Sequence, residues 1–113
     1  MTHKEVYDML ASTDLPVVYH AWKIGNVPSL PYIVYYYPNH DDFVADNSNY
    51  QSIATLNVEL YTNNKDFATE AAVESVLNAS GLVYAKTETY LESEEMFEIL
   101  YESEVIITNG EQS

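Results

Sequence analysis

An α+β fold of one domain, a mostly antiparallel sheet with two helices packed on one face, is what this sequence predicts. Two patterns carry most of that expectation. Five stretches read as strands against two with helical spacing, and most links between strands are short enough for hairpins. The third observation is the presence of eleven tyrosines, because Tyr favours strands and combines a large apolar body with a polar tip. Two domains cut from 113 residues would each lack a sufficient core, so residues 1–113 are read as a single domain.

Thr2 and Glu5 stand at capping-box spacing ahead of the short apolar stripe Val6, Met9 and Leu10. A first helix from about His3 to Ser12 is expected, ended by Ser12-Thr13-Asp14 and Pro16. Val17-Val18-Tyr19-His20-Ala21-Trp22 reads as a first strand. Lys23 to Pro31 holds Gly25-Asn26, Pro28 and Pro31 and reads as a loop. Tyr32-Ile33-Val34-Tyr35-Tyr36-Tyr37 is the strongest β run, closed by Pro38-Asn39.

Residues Asn39 to Asn49 are rich in Asp and Asn, whose side chains bond nearby backbone and favour turns. Within that loop Phe43, Val44 and Ala45 are more apolar than a solvated loop requires. From Ile53 to Thr62 the chain alternates, with Ala54, Leu56, Val58 and Leu60 on one face and Thr55, Asn57, Glu59 and Tyr61 on the other. Asn63-Asn64-Lys65-Asp66 offers N-caps for a second helix running to about Ala79. Asp66, Glu70 and Glu74 are expected on its solvent side, and Ala72, Val73, Val76 and Leu77 against the core.

Gly81 stands where a left-handed C-cap belongs. Leu82 to Leu91 reads as a strand with Tyr84, Lys86, Glu88 and Tyr90 alternating against Val83, Ala85, Thr87 and Thr89. Glu92-Ser93-Glu94-Glu95 makes a polar turn. A last strand spans Met96 to Thr108, with Phe97, Ile99, Tyr101 and Val105 on one face, and 109–113 are expected as a frayed tail. The order is α-β-β-β-α-β-β.

Eighteen acidic residues against four basic ones give a formal charge of −14. Such a surface repels phosphate backbones and anionic lipid, which argues against nucleic-acid and membrane-surface binding. It suits a basic protein partner, or a surface past which DNA slides without sticking; solubility alone is the plainer account of it. With no cysteine, disulfides, thiolate nucleophiles and cysteine zinc sites are excluded. No stretch approaches the roughly 20 apolar residues of a membrane helix. The polar opening Met1-Thr2-His3-Lys4-Glu5 lacks a secretory apolar stretch, so a soluble cytoplasmic protein is expected.

Catalytic, cofactor and metal sites are not expected. His3, His20 and His40 show no metal-ligand spacing. His40-Asp41-Asp42 with Asp46 has carboxylate oxygens for a hard cation, but it lacks the alternating ligands, central Gly and terminal Glu of a calcium loop and reads as a polar loop. Glu92, Glu94 and Glu95 share a turn where water surrounds them, whereas catalytic carboxylates need burial or a close partner. No serine lies in a Gly-x-Ser-x-Gly elbow, and three glycines leave no phosphate-cradling loop. Asn78-Ala79-Ser80 matches a glycosylation sequon but falls at a helix end. Tyrosines without cations supply only half of a single-strand nucleic-acid surface. Tyr35, Tyr36 and Tyr37 must alternate between the sheet faces, one of them core and the other open to contact.

Leu30-Pro31-Tyr32-Ile33-Val34-Tyr35, then Asp42-Phe43-Val44-Ala45-Asp46 and Tyr50, then Glu59-Leu60-Tyr61-Thr62 with Lys65-Asp66, form a succession with a familiar order and spacing. Tyr84-x-Lys86-x-Glu88-x-Tyr90 followed by Glu94 extends it. Together these resemble small proteins of the head–tail joining region of tailed phages and prophages, the tail-completion, tail-terminator or tail-to-head joining group, over roughly residues 15 to 100. The resemblance implies an α+β subunit that assembles with itself into a ring, a hexamer, at the head-proximal end of the tail. It implies partners in the tail-tube and head-connector proteins, a place in the host cytoplasm and then the virion, and an acidic lumen through which DNA passes with little adhesion. It carries over no catalytic residue.

Under that ring expectation the contact surface falls on Tyr35, Tyr37, Asp42, Phe43, Asp46 and Tyr50, with Phe43 as an apolar anchor between two aspartates. The competing account of Phe43 is that it folds back over the domain's own core. The rival function is an acidic inhibitor that mimics DNA, its carboxylates standing in for phosphates against a basic DNA-binding protein. Such a mimic needs its acidic groups in a stripe.

Overall fold

The computed structural model describes residues 1–38 and 51–108. Its elements are α1 (His3–Ala11), β1 (Val17–Tyr19), β2 (Tyr32–Tyr36), β3 (Gln51–Thr62), α2 (Phe67–Ala79), β4 (Tyr84–Leu91) and β5 (Met96–Thr108). This is the α-β-β-β-α-β-β order, and the strands form one mixed, mostly antiparallel sheet in the spatial order β1-β2-β3-β5-β4.

The sequence's own signals set most element ends. Thr2 caps α1 through a reciprocal box: its hydroxyl accepts from the Glu5 backbone N–H at 3.0 Å, and Glu5 Oε1 accepts from the Thr2 N–H at 2.9 Å. Asp66 caps α2, accepting the Thr69 N–H on Oδ1 at 3.0 Å and the Thr69 hydroxyl on Oδ2 at 2.7 Å. At the other end of α2, Gly81 takes the left-handed φ of 77°. Its N–H donates to Asn78 O and the Leu82 N–H to Leu77 O, both at 3.0 Å, which closes the helix in a Schellman turn. Leu82 is thereby used in the cap and packs on the core, so β4 begins at Tyr84 rather than at Leu82.

The first strand is also shorter than Val17 to Trp22. His20 adopts a φ of 75° and the Ala21 N–H donates to Tyr19 O at 2.9 Å, a tight reversal that ends β1 at Tyr19. Residues 20–31 then carry the chain back, and β1 pairs with β2 in parallel, Val17 beside Ile33 and Tyr19 beside Tyr35. A hairpin between them is thus corrected to a crossover, made here by a loop where such connections usually hold a helix. The remaining pairings, β2 with β3, β3 with β5 and β4 with β5, are antiparallel.

Both helices cover one sheet face. Val6, Met9 and Leu10 of α1 and Val73 and Leu77 of α2 join Ile33, Tyr35, Tyr37, Ala54, Leu56, Val58, Leu60, Ile99, Tyr101, Val105 and Ile107 in one buried cluster. The strand residues of that cluster are every second one along the chain, as a half-buried strand requires.

The contact stripe of α2 runs Glu70, Val73, Leu77, not through Ala72. Glu70, expected in solvent, is therefore buried at 2% exposure, and Ala72 is exposed. A carboxylate is tolerated there because Lys65 Nζ lies 2.7 Å from its Oε2 and Lys86 Nζ 2.9 Å from its Oε1. Lys86 also reaches Glu74 at 2.7 Å, Lys65 reaches Glu88 at 2.6 Å, and the Tyr101 hydroxyl donates to Glu74 Oε2 at 2.9 Å. Burial pushes the Glu70 carboxyl up, but the two ammonium groups outweigh it and hold the group below the ordinary carboxylate range.

β3 and β5 outrun their neighbours. β2 pairs with β3 only from Asn57 to Tyr61, and β4 pairs with β5 only from Met96 to Ser103. The pairs from Gln51–Thr108 to Thr55–Glu104 therefore project as a two-stranded arm. Met1 steadies its end, its N–H donating to Ile106 O at 2.8 Å and its carbonyl accepting from the Thr108 N–H at 2.8 Å.

Candidate interaction surface

Strand parity decides what the helix-free face presents. With Leu56, Leu60, Ile99 and Tyr101 turned to the helices, Ile53, Thr55, Asn57, Glu59 and Tyr61 of β3 face the other way. So do Glu98, Leu100, Glu102, Glu104 and Ile106 of β5, with Ala85, Thr87 and Thr89 of β4 beside them. On β2 the residues of this parity are Tyr32, Val34 and Tyr36. Part of the face is covered. Val34 and Asn57 are buried, and the crossover brings Trp22 against Tyr32 with ring centroids 5.7 Å apart. The Asn57 amide donates to the Tyr36 hydroxyl at 3.2 Å.

Two regions of the face stand out. In the first, Glu98 lies opposite Tyr61 and diagonal to Glu59. The Tyr61 hydroxyl donates to Glu59 Oε1 at 2.7 Å and reaches Glu98 Oε2 at 3.3 Å. Partial burial, then the Glu59 charge, push the Glu98 carboxyl above its ordinary range. Burial and these acceptors raise the Tyr61 hydroxyl far above its usual value, so it stays a proton donor at any ordinary pH.

The second region is the arm. Ile53 and Ile106 face each other in register, 61% and 54% exposed, and Val83, 86% exposed, precedes β4 on the same side as Thr55 and Glu104. Between arm and β4 lies an open groove of about 640 Å³, lined by Thr55, Val83, Ala85, Glu102 and Glu104 among others. Glu102 and Glu104 are exposed. None of the described ion pairs reaches Glu59, Glu98, Glu102 or Glu104: Lys4 pairs with Asp8, while Lys65 and Lys86 serve the network on the helix side. Among the described residues no group of three His, Cys, Asp or Glu side chains is placed to hold a metal ion.

Of the contact residues expected from sequence, Asp42, Phe43, Asp46 and Tyr50 lie outside the described residues, as does the loop from Asn39 and the tail 109–113. Tyr35 and Tyr37 are placed in the core, 7% and 4% exposed, which corrects their expected exposure. Their parity puts them under α1: Tyr37 meets His3 at a centroid distance of 5.0 Å, and Tyr35 packs edge-on against Tyr19 at 5.2 Å. Of this aromatic group Tyr19 reaches the surface, not Tyr35 and Tyr37.

The surface residues the sequence reading passed over are Ile53, Val83, Glu98, Glu102, Glu104 and Ile106. Their signal was present, because the alternation that places Phe97, Ile99 and Tyr101 inside places Glu98, Glu102 and Glu104 outside. Compared with known proteins, the chain matches no protein-family model and no curated protein.

Proposed function

We propose that this chain is a non-enzymatic structural subunit that acts by binding proteins, assembling with itself and with tail-tube and connector proteins at a phage head–tail junction. The observation that supports it best is the sheet face free of helices, where exposed aliphatic side chains adjoin carboxylates that no described lysine neutralises. A domain that acted alone would gain nothing by leaving Ile53, Ile106 and Val83 in water. The succession of motifs from Leu30 to Glu94, with the element order it accompanies, supplies the head–tail part of the reading.

Light scattering of the chain alone and mixed with tail-tube protein tests it. A defined ring, or a monomer that assembles at tube ends, is the expected result. A strict monomer indifferent to tubes would overturn the reading.

One observation favours the DNA-mimic reading. Glu102 and Glu104, two residues apart on an extended strand, present carboxylates roughly 7 Å apart, with Glu98 further along the same line. A monomer that binds a basic DNA-handling protein in competition with DNA would support this second reading.

A further inference from the structure

We infer that the groove between the arm and β4 receives an extended, lysine- or arginine-bearing segment of a protein partner. The inference rests on reading the chain as a binding subunit, and it names the partner's chemistry.

Pairing of β4 with β5 begins at Tyr84 and Ser103, while β5 runs on to Thr108, so the groove follows a strand. The outward side chains of β5 repeat every second residue: Glu102 and Glu104 line the groove with Val83 and Thr55, and Ile106, paired with Ile53, follows just beyond it on the arm. An extended segment laid along a strand presents its own side chains with the same two-residue repeat. Two cations followed by an aliphatic side chain would therefore meet two carboxylates followed by Ile106. A helix, whose side chains repeat with a period of 3.6, does not match that line.

Charge selects the occupant. The chain carries a formal −14, and three of its four lysines are held in ion pairs away from this face, Lys4 on α1 and Lys65 and Lys86 on the helix side. A second copy of the same face would bring carboxylates against carboxylates. A basic segment removes that repulsion and covers the exposed isoleucines in the same contact.

The probe is a short dye-labelled peptide with lysine, lysine and valine at alternate positions and serine between them, followed by fluorescence anisotropy at low salt. Glu102→Gln with Glu104→Gln is expected to weaken binding about fivefold or more, in line with the loss of two surface ion pairs. Glu92→Gln with Glu95→Gln removes the same charge from the β4–β5 turn and is expected to leave binding unchanged. Val83→Ser, at an exposed position, should weaken binding without altering the fold, and amide NMR shifts should move at Val83, Glu102 and Glu104. Equal weakening by both double variants would reduce the contact to general charge attraction and overturn the inference. So would a concentration-dependent dimer that the Glu102/Glu104 variant abolishes, because a second copy would then fill the groove. Peptide binding at the groove without assembly on tail tubes would leave the inference standing and remove the head–tail reading. Assembly on tubes with no peptide binding would do the reverse.

Discussion

Two glutamates show how far one side chain's surroundings can divide a common chemistry. Glu70 is buried between Lys65 and Lys86, and its folded carboxyl titrates below the ordinary range. A lowered folded pKa contributes stability at neutral pH that is lost as the pH falls through it. Glu70→Gln should therefore cost about 1–2 kcal/mol in urea unfolding at neutral pH, less than a dry pair would because both lysines keep contact with water. The cost should shrink in acid, where the native protein forfeits the same interaction. Glu98 behaves in the opposite sense. Its raised folded pKa means that ionisation, enforced at neutral pH, works against folding, and that the penalty is relieved as the pH falls. Glu98→Gln keeps an acceptor for Tyr61 and should raise stability by about 0.5 kcal/mol at neutral pH, a gain that disappears in acid. Neither role was legible locally, because both depend on what lies across the sheet or beneath the helix. Glu70 looked like a solvent position only while the contact stripe of α2 was drawn through Ala72.

At the scale of elements, the chain is more transparent where one signal acts alone. The alternation of β3 needs no context, and Ala54, Leu56, Val58 and Leu60 are buried as that pattern demands. The stop of α2 is equally local. Gly81 sits at φ 77° with open space where a Cβ would be, so Gly81→Ala meets no clash and measures backbone strain alone. Thermal or urea unfolding of that variant should show a loss of about 1 kcal/mol. β1 is harder to read, because His20 alone interrupts the apolar residues from Val17 to Trp22 and the reversal there has no Gly or Pro to mark it. Its parallel pairing was harder still, since residues 20–31 have the composition of a turn yet span a crossover.

For the whole molecule, the fold class and the order of elements could be read from periodicity, and which outward residues share the proposed interaction surface could not. A surface is a sum over strands that lie far apart in sequence: Ile53 meets Ile106 only through the register of β3 with β5. Tyr35 and Tyr37 of the tyrosine run are buried under α1, whereas the helix-free face mixes glutamate, threonine, tyrosine and isoleucine drawn from four strands. Spatial order has a further consequence, for how the molecule comes into being. β5 lies between β3 and β4, yet it follows both along the chain. During synthesis neither β3 nor β4 can pair with β5, and the central ladder closes only when β5 emerges from the ribosome. Loop entropy is spent before the longest pairing in the sheet returns anything, which makes for slow folding and a nascent chain whose strand edges stay open to other chains until β5 is made.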